Sequence, residues 1–252
     1  MAEPALEVRN LVKRFGALTA TDHLSFEVRP GELHAIIGPN GAGKTTLIAQ
    51  LSGELPPTEG QVYLLGKDVT HLPVAVRAAM GIGRSFQITS LCPDFSALQN
   101  VALAVQAHQT NPFGMWARAD EDNLVNDTAR RFLSKVGLES RADVQAGFLA
   151  HGEQRQLEVA VALACQPKVL LLDEPMAGMG REESRTMTRL LQSLKGQYSI
   201  LLVEHDMDAV FSLADRITVL VYGRAIATGT AKEIAASAEV RSAYLGEGKS
   251  KC

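Results

Sequence analysis

Lys44 and Thr45 sit in a run of nine residues, Gly38-Pro39-Asn40-Gly41-Ala42-Gly43-Lys44-Thr45-Thr46, that fits the spacing G-x-x-x-x-G-K-[ST]. The chemistry such a run can do is to wrap the phosphates of a nucleotide. Glycines let backbone N–H groups turn inward with no Cβ in the way. The Lys44 ammonium would lie against the β- and γ-phosphates, and the Thr45 hydroxyl would ligate Mg²⁺.

Three further places offer groups that complement a bound triphosphate. Val169-Leu170-Leu171-Leu172 runs straight into Asp173-Glu174-Pro175. Asp173 is expected to hold Mg²⁺, directly or through water, and Glu174 to polarise the water that attacks the γ-phosphate. Ile200-Leu201-Leu202-Val203 ends in the same way, in Glu204-His205-Asp206. His205 is expected to donate to the γ-phosphate or to orient the attacking water. The Gln87 amide, after Gly81-Ile82-Gly83-Arg84-Ser85-Phe86, has the reach to meet the metal or that water. Phe15, in Lys13-Arg14-Phe15-Gly16, is either core or an aromatic that stacks on an adenine. Gly152 opens a helical pattern with Leu157, Ala160, Val161 and Ala164 on one face, so its N–H groups can bind an anion or carry an ordinary cap.

These groups need a scaffold that gathers strand ends. Leu33-His34-Ala35-Ile36-Ile37 suits a buried strand before the phosphate loop, and Thr46 to Leu51 suits the helix after it. Strand and helix alternate again from Lys168: strands at 168–172, 198–203 and 217–221, helices at 181–194 and 207–213. Alternation of this kind indicates a parallel sheet with crossover helices, whose ligands bind at the carboxyl ends of the strands. Leu6 to Arg9 and Leu24 to Val28 alternate like half-exposed antiparallel strands, and Gln61 to Leu65 reads as another strand. Pro73 to Met80 suits a short helix. Between Ile88 and about Ala164 helical stretches take over, at 98–108, 120–136 and 152–164, as in a helical lobe inserted into the α/β core.

With 252 residues the chain can bury a sizeable core, and a composition of 46% hydrophobic, 21% charged and 5% aromatic is that of a globular protein. A formal net charge of -3 argues against a nucleic-acid partner. Cys92, Cys165 and Cys252 are far apart, which points to a reducing compartment and to neither a disulfide framework nor a zinc site. No apolar run approaches membrane-spanning length, and Met1-Ala2-Glu3-Pro4 lacks a targeting pattern, so a cytosolic location is expected for the chain alone.

Taken in order, these motifs resemble the nucleotide-binding subunit of an ABC transporter, over nearly the whole chain. Phe15 matches that family's adenine-stacking aromatic, Gly38 to Thr46 its Walker A loop, Gln87 its Q-loop and Leu149 to Glu153 its signature motif. Asp173 and Glu174 match the Walker B end, Ala177 to Gly180 the D-loop and His205 the switch histidine. The resemblance implies a P-loop NTPase core at 1–87 and 165–252 with an N-terminal antiparallel region, and a helical subdomain at 88–164. It implies ATP and Mg²⁺, with Gly152 and the Ala150 position binding nucleotide across a head-to-tail dimer with a second ATPase subunit, identical or different. It also implies two transmembrane permease subunits, an extracytoplasmic substrate-binding protein, and a place on the cytoplasmic face of the cell membrane.

Within the family the chain is most similar to ATPases of branched-chain amino-acid and related amide or urea importers. Gly83 to Thr89, the segment around Asn111 to Asn126, the run from Glu153 to Glu158 and Ala243-Tyr244-Leu245-Gly246 carry that likeness. The alternatives it leaves are the ATPase of a lipid or lipopolysaccharide exporter and a soluble ABC ATPase outside transport. Ala150 stands where the signature usually has serine, and Gly180 where the D-loop usually ends in Asp or Asn. A missing hydrogen bond to a charged group costs on the order of 1.5–3 kcal/mol, so the ATP site using this chain's signature is expected to be the weaker of two.

Overall fold

The computed structural model describes residues 3–84, 91–108 and 123–245. The chain starts with a long hairpin, β1 (Leu6–Phe15) and β2 (Leu18–Val28), and continues into β3 (Leu33–Ile37), the phosphate loop and α1 (Lys44–Ser52). β4 (Glu59–Leu64), β5 (Lys67–Asp68), α2 (Val74–Met80) and β6 (Ile82–Arg84) follow. The helical part comprises α3 (Ala97–His108), α4 (Asn123–Lys135) and α5 (His151–Ala164). β7 (Val169–Asp173), α6 (Arg181–Leu194), β8 (Ser199–Val203), α7 (Met207–Leu213), β9 (Arg216–Val221), β10 (Arg224–Gly229), α8 (Ala231–Ala236) and α9 (Ala238–Leu245) complete it.

Two sheets result. β2-β1-β4-β5 is antiparallel, and β10-β9-β3-β8-β7-β6 is parallel from β9 to β6 with β10 antiparallel at its edge. Every residue of β3, β7 and β8 is buried. Their unbroken apolar sequences follow from helices and the second sheet covering both faces. One core packs α3, α4, α5 and α6 with Leu170, Leu172, Ile200 and Leu202 of the sheet. The other face, with Ile36, Leu171, Leu201 and Val203, packs α1 and the antiparallel sheet. A third cluster joins Ala35, Ile37, Ile217 and Val219 to Val210, Ile234 and Val240.

Phe15 is not a core residue: β1 runs through Lys13-Arg14-Phe15, and the ring at its tip is 48% exposed. Phe15 is the last residue of β1, paired with Leu18 at the turn end of the hairpin, where Leu18 is exposed as well. The end of α1 is closed by a buried cation. Arg77, 1% exposed, donates to the carbonyls of Gln50, Leu51, Thr70 and Leu72. Two of these are orphan carbonyls of the last turn of α1, where a cation also complements the helix dipole. The free cysteines Cys92 and Cys165 are both partly buried. Among the described residues no helix is long and apolar enough to cross a membrane.

Candidate functional site

β3 occupies the middle of the parallel sheet, next to β8, which pairs in turn with β7. The chain segments that leave the carboxyl ends of these strands form the site. After Ile37 the loop turns back tightly. A Cβ on Gly38 would lie 2.3 Å from the Leu220 carbonyl, and one on Gly43, at φ +100°, 2.1 Å from that of Ala20. Only glycine fits at either place. Pro39, Asn40 and Gly41 form the outer turn, closed by the Ala42 N–H donating to the Pro39 carbonyl. No side chain caps α1, so its first-turn N–H groups are left for an anion. Thr45 is exposed and Thr46 half-buried in that turn.

The Lys44 ammonium is buried and donates to the carbonyls of Gly38 at 2.8 Å and Pro39 at 3.1 Å. Burial lowers its pKa, while the carboxylates of Glu174 and Asp173 act to raise it. Lys44, Asp173 and Glu174 therefore share one electrostatic neighbourhood, although 129 positions separate the first from the second.

Asp173 is the last residue of β7 and is 1% exposed. Burial pushes its carboxyl upward; Arg84 and Lys44 pull it down, against Glu174 and Glu204. Both of its oxygens are buried without a hydrogen-bond partner. A buried carboxylate left in that state is costly unless something takes its lone pairs. Among the described residues no group of three or more His, Cys, Asp or Glu could hold a metal. A buried carboxylate with open lone pairs, together with the exposed Thr45 hydroxyl in the first turn of α1, is instead the sparse oxygen set that suits Mg²⁺ shared with phosphates. The residues present fit that ion.

Glu174 stands at φ 50°, in the left-handed region, with its N–H donating to the Val203 carbonyl at 2.8 Å. Strain of this kind on a non-glycine residue recurs at functional sites. The His205 Nδ1 lies 3.8 Å from Glu174 Oε2 and 3.7 Å from Glu204 Oε2, and its ring is 60% exposed. Gln87 lies outside the described residues. Phe15 carries the Lys13 ammonium 5.3 Å above its ring centroid.

Three residues without an assigned role in the sequence turn out to organise these groups. Glu204, 1% exposed, accepts the Met176 N–H on one oxygen and those of His205 and Asp206 on the other. Glu183 accepts the Gly180 N–H at 2.9 Å and the Gly152 N–H at 3.3 Å, so one carboxylate joins the 177–180 loop to the start of α5. Arg84 lies between Glu54 and Asp173. A carboxylate following a buried strand, as Glu204 does, was the one available signal. At the start of α5, Ala150 supplies no hydroxyl, and its N–H donates to Glu153 at 2.9 Å. Glu153 is in turn held below the usual carboxylate range by its hydrogen bond from Arg141.

Residues 21–177 match the model of the ABC transporter family, and residues 226–250 match the model of the branched-chain amino acid ATP-binding cassette transporter. The high-affinity branched-chain amino acid transport ATP-binding protein LivG of Salmonella typhimurium is 39% identical, over 98% of this chain and all of its own length. A crystal structure of an ABC-transporter ATP-binding cassette in its ADP conformation superimposes with a TM-score of 0.86 at 30% identity, covering 96% of this chain and 99% of the other. A dimeric cassette in a post-hydrolysis state, bound to ADP and Pi, gives 0.74 at 25% identity, covering 90% and 98%.

Proposed function

We propose, from the premise that this chain belongs to the ABC transporter family, that it drives uptake of branched-chain amino acids as one ATPase of a multi-subunit importer. The chain binds ATP and hydrolyses it. The carrying observation is that Asp173 at the end of β7, and Glu174 after it, act electrostatically on the buried Lys44 ammonium that follows the loop after β3, with the His205 imidazole 3.8 Å from Glu174.

In this reading the glycine loop and the first turn of α1 hold the phosphates through backbone N–H groups, and Lys44 exchanges its loop carbonyls for phosphate oxygens. Thr45 and Asp173, with Gln87, would hold Mg²⁺. That ion, when bound, would neutralise charge on the phosphate oxygens. Glu174 accepts the proton of the attacking water. His205 donates to the γ-phosphate, and Glu204 holds it there through the backbone N–H. Phe15 stacks on the adenine. Gly152 and the Ala150 position receive the phosphates bound by a facing ATPase in a head-to-tail pair; a related cassette bound to ADP and Pi is dimeric. Glu183 and Glu153 then fix the backbone where the usual hydroxyl and carboxamide or carboxylate are missing. The helical part at 88–164 would pass the closing motion to two transmembrane subunits on the cytoplasmic side of the membrane, which receive cargo from an external binding protein.

Relatives similar over their whole length serve branched-chain amino acid transport, and a transport assay tests that cargo here. Proteoliposomes holding this chain with its co-purifying membrane subunits and binding protein, with ATP on the nucleotide-binding side, should move radiolabelled leucine. Movement no greater than with Lys44→Ala would contradict the reading.

A further inference from the structure

The site places a second cation beside Asp173. Arg84 ends β6, in register with Leu171 of β7, and its side chain is only 10% exposed. One arm of the guanidinium pairs with Glu54, just past the end of α1, and donates at 3.1 Å to the hydroxyl of Ser52, the last residue of that helix. The other arm, Nη2, stops 3.9 Å from Asp173 Oδ2. That is within ion-pair range but beyond hydrogen-bond length, so the Asp173 lone pairs stay open. Arg84 thus neutralises the buried carboxylate without coordinating it, and it has a second anionic partner, Glu54, that is 37% exposed.

We propose that Arg84 is a resident counter-cation for the metal site, a positioning residue that holds Asp173 until Mg²⁺ arrives and is then displaced toward Glu54 and Ser52. The inference rests on the reading of Asp173 as a metal ligand. The physical reason is like-charge repulsion. A guanidinium stays protonated at any working pH, so it cannot relieve the conflict with a divalent ion by losing a proton. It can only move, and Glu54 offers the place. Removing Arg84 removes a competitor and strengthens metal binding. Removing the Glu54 charge removes an anion that draws Arg84 away from Asp173, and so weakens metal binding. A purely structural brace would instead give both substitutions the same sign.

The test uses Glu174→Gln as the background, so that ATP stays intact, and measures the affinity for a fluorescent ATP analogue with Mg²⁺ and with a chelator. The ratio of the two affinities reports the coupling of metal to nucleotide and needs no turnover. Arg84→Gln should raise the ratio about threefold to tenfold, and Glu54→Gln should lower it by about as much. Arg84→Lys, which keeps the charge, should stay within about twofold of the background. Shifts of the same sign for Arg84→Gln and Glu54→Gln, or none, would overturn the inference. Asp173→Asn tests the underlying reading separately: it should bring the ratio close to that of a site without metal, and an unchanged ratio would remove Asp173 from the metal whatever Arg84 does. Cooperative thermal unfolding of each variant without nucleotide checks that it is folded.

Discussion

The Glu204 carboxylate accepts the backbone N–H of Met176 at 2.9 Å, across 28 positions of sequence, while its other oxygen accepts the His205 N–H at 2.9 Å. The segment after Glu174 and the segment bearing His205 are therefore tied to one buried anion. His205 owes its place near Glu174 to that tie.

Replacing Glu204 by Gln removes the charge and one acceptor, and leaves a buried N–H without a good partner. Hydrogen bonds to charged groups contribute about 1.5–3 kcal/mol each, so urea denaturation should show a loss of about 2 kcal/mol or more. Turnover should fall as His205 shifts. An unchanged unfolding midpoint would show that the three N–H groups find other partners.

Gly43→Ala would drive a Cβ to within 2.1 Å of the Ala20 carbonyl at a φ of +100°. Neither atom is a flexible side-chain end, so the loop must shift. A loss of about 3 kcal/mol in stability is expected, together with the loss of ATP binding, which calorimetric titration would detect. Gly41→Ala is the control. It is also at positive φ but has open space around it, so it should cost about 1 kcal/mol from strain alone.

His34, fully buried in β3 with Nε2 2.8 Å from the Thr218 hydroxyl, is pushed down to about 4 from 6.5, first by burial. Between those values the unfolded chain binds a proton that the folded chain does not. Stability therefore falls as pH drops from about 6.5 toward 4. The full difference amounts to about 3 kcal/mol. Unfolding free energies at pH 7 and pH 4.5 should differ by most of this, less any opposing term from Asp173, whose raised pKa favours the folded state as pH falls. His34→Gln should flatten the difference, and an equal slope in that variant would acquit His34.

Much of the candidate site was legible because it is local. Asp173 follows four apolar residues in an unbroken run, and Lys44 is embedded in its own loop, so neighbours along the chain disclose both. Helices α6 and α7 run from Arg181 to Leu194 and from Met207 to Leu213, as their periodicity predicts. What stayed hidden depends on distant partners. Glu183 reads as a helix-face charge until Gly152, 31 positions away, is brought beside it. Arg77 reads as solvated until four carbonyls surround it. β10 is a half-exposed edge strand whose pattern, Arg224-Ala225-Ile226-Ala227-Thr228-Gly229, has too little apolar contrast to show a period.

The missing signature hydroxyl bears on how two ATP sites share work. If the partner is a different ATPase, the site using Lys44 and Glu174 of this chain faces the partner's signature, and the site using Ala150 and Gly152 faces the partner's lysine. Lys44→Ala should cost the assembled complex more turnover than the equivalent change in the partner. Equal losses would contradict that asymmetry.

Glu174 is assigned to the attacking water, and Lys44 with its loop to the binding of ATP. Glu174→Gln, measured for both ATP affinity and turnover in the assembled complex, separates these roles. The expected result is ATP affinity within about threefold of the parent, turnover from this site lower by about a hundredfold or more, and a trapped closed dimer. Hydrolysis at the parent rate with ATP still bound would contradict it.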